Sequence, residues 1–259
     1  MEPYYQKDNV TLFLGDCCTV LSTLPENSVN VIFADPPYRL SNDGLTCQAG
    51  KLVSVNKGEW DRSEGIENDF KFHEEWIQSC QRVLKPEGTI WVSGTYHSIY
   101  TCGYVLMKLG FWILNDICWY KPNAAPHLSG RRFTASHETL IWAKKDVNAK
   151  YTFNYQEMKE SIWEGDDLKQ PNKQMRSVWK ISTTKPSEKV FGRHPTQKPL
   201  PLLRRILRSS TLPRDLVVDP FTGSSTTGVA CKELERRFIG IDNNKEYLDL
   251  SIKRLEHIS

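Results

Sequence analysis

At 259 residues, with 39% hydrophobic and 25% charged residues and a net charge of +3, the chain has the make-up of one large soluble α/β domain, or of one such domain carrying an insertion. No stretch approaches the roughly 20 apolar residues of a membrane span, and Met1, Glu2, Pro3, Tyr4 and Tyr5 lack the basic start and apolar core of a signal peptide, so a cytoplasmic protein with no membrane partner is expected. The seven cysteines show no C-x-x-C zinc spacing and none follows a proline, so they read as small buried apolar residues rather than as metal ligands or a covalent nucleophile.

In chain order, residues 10–15 read as a strand and 17–24 as a short helix ended by Pro25. The apolar run 29–34 is a strand ending on Asp35-Pro36-Pro37-Tyr38. In a parallel sheet the carboxyl end of a strand is where ligands collect, and two prolines there stop the ladder and stiffen the turn. The turn offers a carboxylate, the free Pro36 carbonyl and an aromatic face, a set suited to an exocyclic amino group on a flat heterocycle. A Pro-rich turn with a capping Asp is the plain alternative. Residues 39–69 form a long polar loop rich in Gly, Ser and Asn, expected to be mobile and functional. A helix over 70–85 places Phe72, Trp76, Cys80 and Val83 on a core face. Pro86-Glu87-Gly88 ends it, and 89–93 returns as a strand. Residues 97–109 read as a helix, and 111–120 and 137–144 as strands.

The stretch 145–190 has weak periodicity, many lysines and isolated aromatics, and is expected to hold little regular sheet. A helix over 200–210 points Leu202, Leu203, Ile206 and Leu207 inward and Arg204, Arg205 and Arg208 outward. Residues 216–219 are a short buried strand running into Pro220-Phe221-Thr222-Gly223-Ser224 and a helix over 229–236. The strand 237–242 then ends on Asp242, and a helix over 244–258 closes the chain. Strand, small-residue turn, helix, strand, acid is the form of a mononucleotide-binding βαβ unit, with the acid roughly 20 residues on to bind ribose hydroxyls. It is not G-x-G-x-x-G, so no dinucleotide is implied. Strands alternating with helices predict a doubly wound, mostly parallel α/β sheet. From Lys121 to Asp215 there are 19 Lys and Arg against 9 Asp and Glu, a local excess of +10. A basic middle with interleaved aromatics suggests a face for nucleic acid, against the alternative of a solvated Lys-rich surface.

Asp35-Pro36-Pro37-Tyr38, with Asp219-Pro220-Phe221-Thr222-Gly223-Ser224 downstream, resembles the beta-class amino-methyltransferases acting on DNA. Further matches are Gly15-Asp16-Cys17, Trp119-Tyr120-Lys121-Pro122-Asn123, His137-Glu138 and His194-Pro195-Thr196-Gln197-Lys198-Pro199. They cover nearly the whole chain, in the class's order of catalytic motif first and cofactor motif last. Within the class the chain is similar to the MboII-type adenine methyltransferases. The resemblance implies a Rossmann-like, S-adenosylmethionine-dependent methyltransferase fold, circularly permuted, which is feasible because domain termini often lie close together. It implies a catalytic half at 1–144 with its mobile loop at about 39–69, a target-recognition insertion at 145–190, and a cofactor half at 191–259.

The resemblance also assigns roles. Asp219 and the turn Pro220, Phe221, Gly223 and Ser224 would hold the methionine end of S-adenosylmethionine, Asp242 its ribose, and Asp16 with the Cys17 backbone its adenine. Thr196 and Lys198 would line the same site. Asp35 and the Pro36 carbonyl would hold the target amino group, Tyr38 would stack on the base, and Trp119 would close its other face or, as the plain alternative, pack in the core. Lys121, Arg131 and Arg132 would face double-stranded DNA. The family's cofactor loop usually has Gly where this chain has Ser225; Ser does not take positive φ cheaply, so a slightly different loop shape is expected. The function implied is site-specific methylation of the adenine amino group in duplex DNA after base flipping, as the modification part of a restriction-modification system. A restriction endonuclease would be a functional companion. Cytosine-N(4) or RNA methylation, and a non-catalytic DNA-binding relative, stay open, as do monomer and homodimer.

Overall fold

The computed structural model describes residues 1–38, 65–126, 130–161, 163 and 173–258, and the backbone of two strands at 45–48 and 51–54. Its frame is a nine-stranded sheet. In chain order the strands are β1 (Tyr5–Lys7), β2 (Val10–Leu14), β3 (Val29–Ala34), β4 (Leu45–Gln48), β5 (Lys51–Ser54), β6 (Leu84–Gly94), β7 (Trp112–Tyr120), β8 (His137–Lys144), β9 (Val178–Lys180), β10 (Leu216–Asp219) and β11 (Arg237–Asp242). Their spatial order is β1-β2-β11-β10-β3-β6-β8-β7-β9, with β4 and β5 a separate antiparallel pair. From β2 to β6 the pairings are all parallel. Strand β8 runs against both β6 and β7, and β1 against β2. The doubly wound, mostly parallel sheet is therefore present, and β10 and β11, late in the chain, lie between β2 and β3, which come early.

Successive strand residues face opposite sides of a sheet, and β3 uses both. Ile32 and Ala34 join a core with α1 (Cys17–Thr23), α2 (Ile66–Val83) and α3 (Ile99–Lys108), through Val20, Leu21, Trp76, Ile77, Val105 and Leu106. Val31 and Phe33 join a second core on the other face. There α5 (Leu200–Ser210), α6 (Thr226–Glu233) and α7 (Lys245–Glu256) supply Leu202, Leu203, Ile206, Leu207, Val229, Leu248 and Leu255. Burial on both faces is why β3 and β10 are near-continuous apolar runs rather than alternating ones. The remaining helix, α4 (Tyr155–Glu160), is tied to α5 by Asn154, whose Nδ2 donates to the carbonyls of Arg208 (2.7 Å) and Thr211 (2.9 Å).

Several expectations change. Helix α2 starts at Ile66, and the chain passes straight into β6 at Leu84. The β3–β6 register shifts between Val29 and Val31, which face Leu84 and Thr89; Pro86 sits in that irregular stretch, where its missing N–H costs no ladder bond. Arg205 does not point outward. It is 2% exposed, and its guanidinium lies 4.3 Å from the centre of the Trp179 ring and 4.9 Å from that of Trp163. Within 145–190, β9 extends the main sheet beside β7. The loop expected at about 39–69 contains the β4–β5 pair, and its other residues before Gly65 lie outside the described residues, as do 127–129 and much of 162–172.

Candidate active site

Strands β10 and β3 are parallel neighbours, with Val217 opposite Val31 and Val218 opposite Ile32. The chain leaves β10 through α6 on one face toward β11, and leaves β3 for α2 on the other face toward β6. Where successive connections diverge like this, the carboxyl ends of the strands open into a crevice. The two sequence motifs occupy its two walls: Asp35 follows β3 and Asp219 ends β10. A cavity of about 260 Å³ lies between them.

On the β10 side both acids have local partners. Asp219 accepts from the Phe221 N–H through Oδ1 (3.0 Å) and from the Thr227 hydroxyl through Oδ2 (2.6 Å). Asp242 accepts from the Gly223 N–H (2.9 Å) and the Asn244 N–H (2.8 Å). Burial outweighs these bonds, so the pKa of Asp219 is pushed up to about 7 and that of Asp242 to about 6. Gly223 has φ 51°, and an added Cβ would lie 3.0 Å from the His194 ring, so the turn tolerates no side chain there. Ser225 also takes the left-handed conformation, φ 51° and ψ 44°. The departure from the usual Gly thus leaves that residue's backbone left-handed. Its Oγ lies 2.8 Å from the Thr222 Oγ1. From α7, Arg254 donates to the carbonyl and hydroxyl of Ser224 and to the Thr226 hydroxyl, and Ser251 donates to the Gly223 carbonyl. Asp16, across the cavity, caps α1 by accepting from the Thr19 N–H at 2.8 Å.

The β3 side holds a cluster of four charges, Lys198 buried and the other three partly so. Asp35 Oδ2 is 2.5 Å from Lys198 Nζ, and its Oδ1 accepts from the Tyr38 hydroxyl at 2.6 Å. That hydroxyl also lies 3.0 Å from Glu138 Oε2 and 3.1 Å from the Ser93 Oγ. Lys198 is 3.6 Å from Glu138 Oε2, and Lys121 pairs with Glu138 Oε1 at 2.9 Å. Burial raises the Asp35 pKa, against the opposing pull of Lys198. For Glu138 burial acts in the same sense, but Lys198 and Lys121 together hold the carboxyl down at about 2. The arrangement therefore keeps one firmly ionised acid beside one poised to accept a hydrogen bond.

A family profile described as DNA methylase, for N6 and N4 methyltransferases, matches residues 29–253. The chain belongs to this N6/N4 DNA methylase family. The methylase is 49% identical over 255 residues to the Type II methyltransferase M2.LlaDCHI of Lactococcus lactis subsp. cremoris, covering 98% of this chain and 92% of that one. It is 49% identical over 256 residues to M2.DpnII of Streptococcus pneumoniae, with the same coverage. A crystal structure of an M1.HpyAVI-SAM complex is similar, with 30% identity, a TM-score of 0.68 and coverage of 95% of this chain and 98% of that one.

In the methylase one cavity is lined by Asp35, Pro36, Pro37 and Tyr38 and equally by Asp16, Cys17, Thr196, Lys198, Asp219, Pro220, Phe221, Gly223, Ser224 and Asp242. Two residues assigned to substrate have partners within the protein. Trp119 is 3% exposed and donates from its indole to the Ile181 carbonyl at 2.7 Å, so it belongs to the core. Lys121 pairs with Glu138 and sits 5.5 Å from the centre of the Trp119 ring. Arg131 and Arg132 are exposed, Arg132 beside the Tyr96 hydroxyl at 3.4 Å. Lys198 lines the cavity, but its ion pair is with Asp35. The sequence reading left out Glu138, His194 and Arg254. Glu138 stood in a matched block without a role. Arg254 carried a signal of its own, one helical turn beyond Leu250 and beside Ser251 on the buried stripe of α7.

Proposed function

We propose that the protein is a site-specific DNA methyltransferase that moves the methyl group of S-adenosylmethionine to the exocyclic amino group of adenine, as the modification part of a restriction-modification system. The observation that carries this reading is the single cavity shared by the Asp35 turn and the Asp219–Asp242 walls. A methyl donor held by one and an amino acceptor held by the other would meet at the boundary of two adjacent strands. The residues fit the cofactor: Asp219 would pair with its ammonium, Asp242 would accept from ribose hydroxyls, and the Gly223 turn lets the ligand reach backbone. When bound, the cofactor supplies an electrophilic methyl on sulfonium sulfur.

The amino lone pair of adenine is delocalised into the ring. Hydrogen bonds to Asp35 and to the Pro36 carbonyl would localise it and orient it toward that methyl. A nitrogen–carbon bond forms, the carbon–sulfur bond breaks with its electron pair passing to sulfur, and the amino group loses a proton to solvent. Positive charge grows on nitrogen, so an adjacent carboxylate stabilises the transition state. The Asp35 turn lies inside the crevice, so a base must leave the duplex to reach it. Arg131, Arg132 and Phe133, the last 98% exposed, are suited to meet the DNA outside. The stretch 145–190 is the proposed target-recognition segment, between halves at 1–144 and 191–259. A cytoplasmic site of action suits a chromosomal substrate. The test is incubation with plasmid DNA and S-adenosylmethionine labelled on methyl, followed by digestion to nucleosides. Label in N6-methyldeoxyadenosine is the expected result; label in N4-methyldeoxycytidine would replace the base assignment, and cofactor binding with no labelled DNA would replace the substrate.

A further inference from the structure

The Lys198 ammonium stands in the way of the reaction just described. It occupies Asp35 Oδ2 at 2.5 Å, an oxygen that could accept from the target amino group, and lies 5.0 Å over the Tyr38 ring, on a face where a base could stack. It is also a positive charge beside a nitrogen on which positive charge must grow. We propose that Lys198 is a movable counter-ion and Glu138 the positioning residue that receives it, so that arrival of the target amino group at Asp35 passes the ammonium to Glu138. This rests on the reading of Asp35 as acceptor of that amino group.

The geometry suits a short transfer. Glu138 Oε2 is 3.6 Å from Lys198 Nζ, so a short move brings the ammonium to an ordinary charge-assisted distance of about 2.8 Å, and a swing of the lysine side chain about that contact carries it off Asp35 Oδ2. Glu138 is held for the purpose by Lys121 at Oε1, 2.9 Å away on the far oxygen. Tyr38 bridges the two carboxylates, so outward rotation of its ring toward a base would vacate Asp35 Oδ1 and Glu138 Oε2 together. Two carboxylates and two ammoniums make the cluster neutral, and the transfer leaves it neutral. The benefit is that a buried Asp35 stays ionised while the site is empty, without a cation pressed against it during methyl transfer. The other groups facing this cluster are Asp219, across the cavity from Asp35, and His194, neutral and close to Lys198.

The test uses the full-length protein with saturating labelled cofactor and DNA, in single turnovers from about pH 6 to about pH 10, with cofactor affinity measured by calorimetry. Glu138→Gln removes the negative charge that would draw Lys198 off Asp35, so transfer is expected to slow on the order of 100-fold with cofactor affinity unchanged. Lys198→Met leaves Asp35 facing Glu138 without an ammonium; its acid limb is expected to move to higher pH, so activity lost near neutrality returns as pH rises. The double variant, neutral again with one carboxylate and Lys121, is expected to move the limb back. Either single variant with wild-type rate and pH profile would overturn the proposal, as would a folded double variant with the limb of Lys198→Met. If Lys198→Met does not fold, Glu138→Gln and the double variant decide: a fast Glu138→Gln enzyme overturns the proposal. Asp35→Ala separates the two readings, since retained transfer in that variant would sink the Asp35 assignment itself.

Discussion

Ser225 holds a left-handed backbone in a buried turn without being glycine. For an L-residue that conformation costs roughly 1–2 kcal/mol. Its hydroxyl, 2.8 Å from the Thr222 Oγ1, returns about 1 kcal/mol, the ordinary net worth of such a bond. Ser225→Gly removes the strain and the bond together and is expected to lie within about 1 kcal/mol of the wild type. Ser225→Ala keeps the strain and loses the bond, and is expected to be less stable by about 1–2 kcal/mol. Denaturant unfolding of the three proteins ranks them; an alanine variant as stable as the glycine variant would mean the backbone strain is relieved by other means.

Helix α7 is the element that shapes the cofactor turn, through Arg254 on Ser224 and Thr226 and Ser251 on Gly223. Burial lowers the Arg254 pKa to about 10, still far above neutrality, so it stays charged in its place. Arg254→Met keeps much of the volume and removes the donors; losing hydrogen bonds from a charged group costs about 1.5–3 kcal/mol. Cofactor affinity is expected to fall about tenfold or more as the turn loosens, which calorimetry would read directly. How far elements were legible in the sequence follows from how local their causes are. The apolar spacing of α5 and the strand-then-acid pattern of β10 and β11 are local, and their bounds are as expected. β1 and β9 are three-residue strands with no room for an alternation to register, and they exist because a neighbour offers an edge. Arg205 was misjudged because Trp163 and Trp179, which cover it, come from other segments of the chain. Lys121 looked like a DNA contact because its partner Glu138 lies on β8, and Lys198 finds Asp35 across 163 positions. The fourteen cavity residues assigned from the sequence were legible because the motifs carry them in two runs and a few flanks; the charge pairing among them is a property of the fold alone.

Across the whole molecule the two acids at the cofactor wall set the response to pH. The folded Asp219 and Asp242, at about 7 and about 6, lie above their unfolded values. The unfolded chain therefore binds fewer protons than the folded one between about pH 4 and pH 7, so these two groups make the empty protein less stable as pH rises through that window. A bound ammonium favours the ionised Asp219, so the cofactor binds more tightly over the same rise. The gain in melting temperature on adding S-adenosylmethionine is expected to be larger at pH 8 than at pH 6; a gain independent of pH would remove Asp219 from the ammonium. The sheet order has a further consequence, for biosynthesis. Strands β2 and β3 emerge from the ribosome early, but β11 and β10, which lie between them, emerge last. A nascent polypeptide therefore carries two strands with an empty slot between them until β10 and β11 have emerged, and a product stalled before residue 216 lacks Asp219 and Asp242 altogether. On the proposed reading such copies could not hold the methyl donor, so methyl transfer would wait for β10 and β11.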